Sequence, residues 1–258
     1  MNTTGYLGSL PDSRPRIFAH RGLVFQGPKQ VADENTLVAF ELALAAGADY
    51  LETDLQLTKD GIPVLFHDSD LTRLVGKKLQ VNALGFKDLQ NLKLPFGGTI
   101  PSLQEALEKF PDAKFNLDFK TRSTESPGMD VVMALGAFDR VLVSSFSDAS
   151  RLRALSHSPV KVSSSAGSSR VLSSYSFARL GLVKPLAAAL ENIQALQMPT
   201  KMYGIDFTHP RFVEAVLSQE KEIHYWTIND PAEMVSLYSL GAHGIVTDRS
   251  DIAFKVFN

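Results

Sequence analysis

The chain has 258 residues, 44% hydrophobic and 21% charged, the balance of a soluble globular protein long enough for one sizeable core. Its net charge of −2 excludes a global pull toward nucleic acid, so an anionic ligand must be held by a few local cations. With no cysteine, disulfides, thiolate metal sites and a cysteine nucleophile are excluded.

The opening stretch MNTTGYLGSLPDSRPR has neither a basic n-region nor an apolar h-region. No apolar run approaches the ~20 residues that span a bilayer. The expectation is a cytoplasmic protein without a transmembrane segment. Along the chain, short β-rich runs alternate with helical patterns. Strands are predicted at residues 16–20, 48–57, 114–119, 140–145, 160–164, 203–207, 223–228 and 244–247. Helices are predicted at 37–46, 103–110, 148–155, 212–220 and 232–240. Eight such units in about 250 residues predict an α/β protein, a (β/α)8 TIM barrel, with residues 1–258 as one domain.

The first predicted strand ends in His20-Arg21-Gly22. At the C-terminal end of a barrel strand, His20 could exchange protons and Arg21 could fork onto a phosphate. A capping histidine beside a solvated arginine would give the same tripeptide. The second strand carries Glu52-Thr53-Asp54, whose two carboxylates share a face because side chains alternate along a strand. Such a pair needs neutralising, by a hard divalent cation, by protonation or by solvent.

A strand-like run at 62–67 follows too closely for a crossover helix, and Lys59-Asp60-Gly61 supplies a turn. Residues 52–68 are therefore predicted to form a hairpin that overshoots the barrel rim. With Asp60-Gly61 as a two-residue loop, Asp54 faces His67. Without that register, His67 among Val64, Leu65 and Phe66 reads as a partly buried anchor.

The third strand sets Asn116, Asp118 and Lys120 on one face. Asp118 is a candidate oxygen ligand and Lys120 a phosphate cation, or the two form an internal ion pair. The lone tryptophan, Trp226, ends a later strand and either lines the pocket for an alcohol group or simply packs. His157, His224 and His243 lie in loops or strands without acidic companions, and His209 follows a strand end.

In order, His20-Arg21-Gly22, Glu34-Asn35-Thr36, Glu52-Thr53-Asp54, Thr58-Lys59-Asp60-Gly61, His67-Asp68 and Leu71-Thr72-Arg73 resemble the glycerophosphodiester phosphodiesterases. Ile100-Pro101-Ser102-Leu103, Ser145-Phe146, Trp226-Thr227-Ile228-Asn229 and Gly244-Ile245-Val246-Thr247-Asp248 extend the likeness over nearly the whole chain. The resemblance implies a barrel of the PLC-like phosphodiesterase type that hydrolyses a glycerophosphodiester to sn-glycerol 3-phosphate and an alcohol. It implies His20 and His67 as the acid–base pair and Arg21 and Lys120 as phosphate ligands. Glu52, Asp54 and the residue at 118 would hold one divalent metal ion, Mg2+ or Ca2+. Asp118 departs from the family's usual glutamate, and Asp33 from its usual proline.

Two alternatives remain at this level. One is lysophospholipase D action on lysophospholipids, with residues 172–198 as an apolar lid. The other is a phosphate-binding barrel without catalysis, which the presence of both histidines and all three acidic positions disfavours.

Overall fold

The structure, a computed structural model, describes residues 5–8 and 14–258. Most of the N-terminal stretch read above as leaderless lies outside the described residues. Eight parallel strands form the barrel: β1 (Arg16–His20), β2 (Tyr50–Leu57), β3 (Lys114–Phe119), β4 (Val141–Ser144), β5 (Ser163–Ser164), β6 (Ala195–Met198), β7 (Glu222–Tyr225) and β8 (Gly244–Thr247). Each pairs in parallel with its neighbours in the order β5-β4-β3-β2-β1-β8-β7-β6. The ring closes through a parallel bridge between Ser165 and Ala195. There Ala166 N donates to Ala195 O at 2.9 Å and Gln194 N to Ser164 O at 3.0 Å.

The strands sort their side chains by alternation. Ile17, Ala19, Leu51, Leu55, Phe115, Leu117 and Phe119 belong to the main core with the helix residues Phe40, Leu103 and Phe212. The opposite rows point into the barrel. Low in the interior, Phe18 stacks on Tyr50 with ring centroids 4.5 Å apart, and Tyr6, Leu142 and Val246 complete an apolar floor. One inward step further along the same strands come His20 and Glu52, and a second step brings Asp54. Burial of this aromatic floor fixes the height at which the polar residues emerge.

Helix starts follow local capping chemistry. Thr36 accepts from Ala39 N at the start of Leu37–Ala45, and Ser102 forms a capping box with Glu105 at Leu103–Lys109. The Thr36 cap belongs to the Glu34-Asn35-Thr36 loop, which lies against the end of β1. Asn35 N donates to Arg21 O at 2.9 Å.

Three expectations are corrected by the structure. The sixth barrel strand is Ala195–Met198, not 203–207, where Ile205–Asp206 forms a small antiparallel pair with Lys201–Met202. The segment 172–198 is consequently barrel scaffold rather than a lid, holding parts of helices Ser168–Arg179 and Val183–Ala189 as well as β6. The overshoot hairpin is present, with Pro63–Leu65 antiparallel to β2, but its register is one residue off. The loop has three residues, 59–61, with Gly61 at φ 81° in the left-handed region that only the last residue adopts. Asp54 O therefore accepts from Phe66 N at 2.9 Å, and His67 lies past the paired segment.

Candidate active site

His20, Arg21, Glu52, Asp54, His67, Asp118, Lys120 and Trp226 all line one pocket of about 400 Å³ at the C-terminal rim of the barrel. The hairpin brings His67 here despite the shifted register, because the chain leaves the strand and bends back over the rim. Gln56 Nε2 tethers that bend by donating to His67 O at 3.1 Å.

The two histidines are built alike. His20 Nδ1 lies 2.7 Å from Asp248 Oδ1, and His67 Nδ1 lies 2.6 Å from Asp68 Oδ1. Asp248 is fixed in turn by Asn229 Nδ2 at 2.7 Å. Burial works against a charged His20, but the Asp248 hydrogen bond and the field of Glu52 outweigh it and raise its pKa. In both cases Nδ1 is engaged, which leaves Nε2 as the free nitrogen.

Arg21 adopts φ 56°, a conformation costly for a non-glycine residue. Its own N–H holds it there by donating to Glu52 O and Oε2 at 3.0 and 3.1 Å. The guanidinium reaches Glu34 Oε1 through Nη1 at 3.1 Å, and Nε stands 3.2 Å from Asp54 Oδ2. Asn35 Nδ2 donates to the same Asp54 oxygen at 3.1 Å, while Thr53 Oγ1 donates to Asn35 Oδ1 at 2.7 Å.

The carboxylates are buried, with Glu52 at 7%, Asp54 at 1% and Asp118 at 7% exposure. Lys120 Nζ bridges two of them, at 2.9 Å from Asp54 Oδ1 and 2.7 Å from Asp118 Oδ2. The internal Asp118–Lys120 ion pair is thus present. Burial disfavours ionised Asp54, but Lys120 and Arg21 overcome it and lower its pKa. Asp118 moves up, burial prevailing over Lys120. Glu52 is pushed up to about 7 by burial and by the charge of Asp54.

Three buried carboxylates, oxygen donors all, suit a hard divalent cation. Among the described residues, however, no three carboxylate or imidazole groups close round one point as they stand. Lys120 occupies two of the three carboxylates instead. A cation there would have to compete with Lys120 for Asp54 and Asp118.

The opposite wall is apolar. Phe146 and Trp226 meet edge to face with centroids 5.8 Å apart, and Val171, Leu172, Met198 and Phe207 continue the surface. Trp226 lies just past the end of β7 and faces the pocket as well as packing. Tyr203 stands at the mouth, 88% exposed.

Several participants were not assigned from sequence. Asp248 and Asp68 back the histidines, Asn229 anchors Asp248, and Glu34 and Asn35 hold Arg21 and Asp54. Each sits in a motif quoted above, yet no local pattern announces its partner. His224 also corrects its expectation: far from lacking an acidic companion, its Nε2 lies 2.9 Å from Glu222 Oε2. His209 caps helix Pro210–Leu217 by accepting from Arg211 N.

Known proteins resemble this chain in sequence and in fold. The family model described as "Glycerophosphoryl diester phosphodiesterase family" matches residues 20–252. A protein of Mycobacterium tuberculosis named "Probable glycerophosphodiester phosphodiesterase 2" is 33% identical over 235 residues, covering 91% of this chain and 87% of its own. A crystal structure of a glycerophosphodiester phosphodiesterase from Agrobacterium tumefaciens superposes with a TM-score of 0.76 at 24% identity, covering 94% of this chain and 98% of that one. A lysophospholipase D of Mus musculus is 37% identical over 123 residues, covering 43% of this chain and 36% of its own.

Proposed function

The chain belongs to the glycerophosphoryl diester phosphodiesterase family, and from that premise we propose that it hydrolyses glycerophosphodiesters to sn-glycerol 3-phosphate and an alcohol with one divalent cation bound. It is a phosphoric diester hydrolase. The observation that carries the finer reading is the pair of rim histidines, each backed by its own carboxylate, beside two cations in one pocket.

In this reading Arg21 and Lys120 meet the phosphate oxygens, and Lys120 turns from Asp54 and Asp118 to do so. Glu52, Asp54 and Asp118 would hold the cation, Mg2+ or Ca2+, which supplies Lewis-acid stabilisation of the growing charge on phosphate. One histidine takes a proton through Nε2 from the attacking oxygen. That oxygen is either water, which gives glycerol phosphate directly, or the glycerol hydroxyl next to phosphorus, which gives a cyclic phosphate that water opens in a second step. The other gives a proton to the leaving alcohol oxygen. Asp248 and Asp68 keep both rings oriented while this happens.

The substrate is a small molecule, and no nucleic acid is involved. No helix among the described residues is long and apolar enough to cross a membrane. A cytoplasmic location belongs to the proposal.

The apolar wall of Phe146, Leu172, Met198 and Trp226 favours a second reading, lysophospholipase D activity, because an acyl chain could lie along it. Choline release from glycerophosphocholine and from a lysophosphatidylcholine separates the two. The main reading expects kcat/KM at least about tenfold higher on the water-soluble diester. A preference of that size for the lysolipid would replace it with the second.

A further inference from the structure

The Leu71-Thr72-Arg73 motif has no part in the mechanism above, yet Arg73 is tied to both halves of it. It lies in the short helix Thr72–Val75 beyond the hairpin, with its side chain 46% exposed. Nε donates to Asp68 Oδ2 at 2.6 Å. Nη1 and Nη2 donate to Glu34 Oε2 and Oε1 at 2.9 and 2.6 Å.

Each carboxylate uses its remaining reach on a residue of the site. Asp68 Oδ1 stands 2.6 Å from His67 Nδ1, and Glu34 Oε1 accepts from Arg21 Nη1 at 3.1 Å. A continuous path therefore runs from one acid–base group, through Arg73, to a phosphate cation. Glu34 comes from the loop after β1 and Asp68 from the hairpin return, so Arg73 also pins the insertion to the barrel.

All three guanidinium nitrogens are used in a planar fork, which an ammonium cannot reproduce. Burial opposes ionisation of Asp68 and Glu34, but Arg73 outweighs it and helps lower the pKa of both. An ionised Asp68 only accepts, so the shared proton sits on His67 Nδ1 and Nε2 stays open to substrate. Half-exposed ion pairs contribute little to stability, so the worth of this cluster lies in orientation.

We propose that Arg73 is a positioning residue that registers His67, through Asp68, against Arg21, through Glu34. This deepens the hydrolytic reading and rests on it. Proton transfer and phosphate binding then share one rigid clamp.

The test combines kinetics on glycerophosphocholine with the 15N signals of the His67 ring. Arg73→Ala is expected to lower kcat about tenfold or more and to raise KM severalfold. Asp68→Asn should act mainly on kcat, and Glu34→Gln mainly on KM. Because Asp68 acts through the same path, Arg73→Ala/Asp68→Asn should lower kcat no further than the worse single variant, within about twofold. Added guanidinium should restore part of the Arg73→Ala loss, and Arg73→Lys should fall between wild type and Arg73→Ala. The His67 ring should be the Nδ1–H tautomer in wild type and a tautomer mixture in Arg73→Ala. An unchanged His67 spectrum in Arg73→Ala overturns the proposal, and so do losses that multiply in the double variant. If the wild type releases no glycerol phosphate, the functional reading fails, while the ring spectra still decide the role of Arg73.

Discussion

His20 comes from the end of β1 and His67 from the return of the hairpin after β2, and the two lean on carboxylates held in different ways. Asp248 is fixed by the neutral amide of Asn229, whereas Asp68 is gripped by the cation of Arg73. Neither histidine belongs to the proposed cation ligands, so their loss should separate chemistry from binding. His20→Ala and His67→Ala are each expected to reduce turnover at least ~100-fold while cation affinity, read by calorimetry, stays within a few-fold. Near-normal turnover in either variant removes that histidine from the mechanism. At this scale the sequence was informative wherever one strand set the geometry. Glu52 with Asp54, and Asp118 with Lys120, share a face by alternation alone. The partners of the histidines were hidden, because His20 meets Asp248 across 228 positions of chain and only the pairing of β1 with β8 brings them together.

Among the elements, the turn out of β1 carries the tightest constraint. Gly22 has φ 84°, and a Cβ there would stand 2.7 Å from the carbonyl carbon and the Cβ of Ala39. Helix Leu37–Ala45 would have to withdraw, taking with it the loop that places Asn35 against Asp54. Gly22→Ala should therefore cost about 3 kcal/mol in chemical denaturation, through overpacking and the left-handed backbone together. A loss below about 1 kcal/mol would show that the helix yields easily. Composition explains the strand that was misplaced. Ala195-Leu196-Gln197-Met198 contains no β-branched or aromatic residue and reads as helix, while Tyr203 to Phe207 has the aromatic and Ile content of a strand. Tertiary closure of the ring overrode both preferences. The hairpin failed by one residue for a related reason: the Thr58-to-Gly61 turn admits either a two- or a three-residue loop, and strand pairing decides between them.

Across the whole molecule, charge is kept at both ends of the barrel interior. At the end opposite the pocket, Arg16 Nε and Nη2 donate to Glu222 Oε2 and Oε1, each at 2.9 Å, linking β1 to β7. Burial disfavours this carboxylate, but His224 and Arg16 bring its pKa down to about 2. A depressed folded-state pKa gives stability that is present above the unfolded value and lost as pH falls through the folded one. Glu222 should thus contribute up to about 3 kcal/mol at neutral pH, fading between roughly pH 4.5 and 2. Glu222→Gln should lower the thermal midpoint at pH 7, and the gap to wild type should narrow as pH falls through that window. A gap that stays constant with pH would contradict the assignment. At the pocket end, the three buried carboxylates of Glu52, Asp54 and Asp118 are the reason to expect a cation. The most direct test is release of sn-glycerol 3-phosphate from glycerophosphocholine by protein treated with EDTA, then supplied with Mg2+ or Ca2+. The expected result is loss of release with EDTA and recovery with one of the two ions. Release that persists undiminished in EDTA would contradict it.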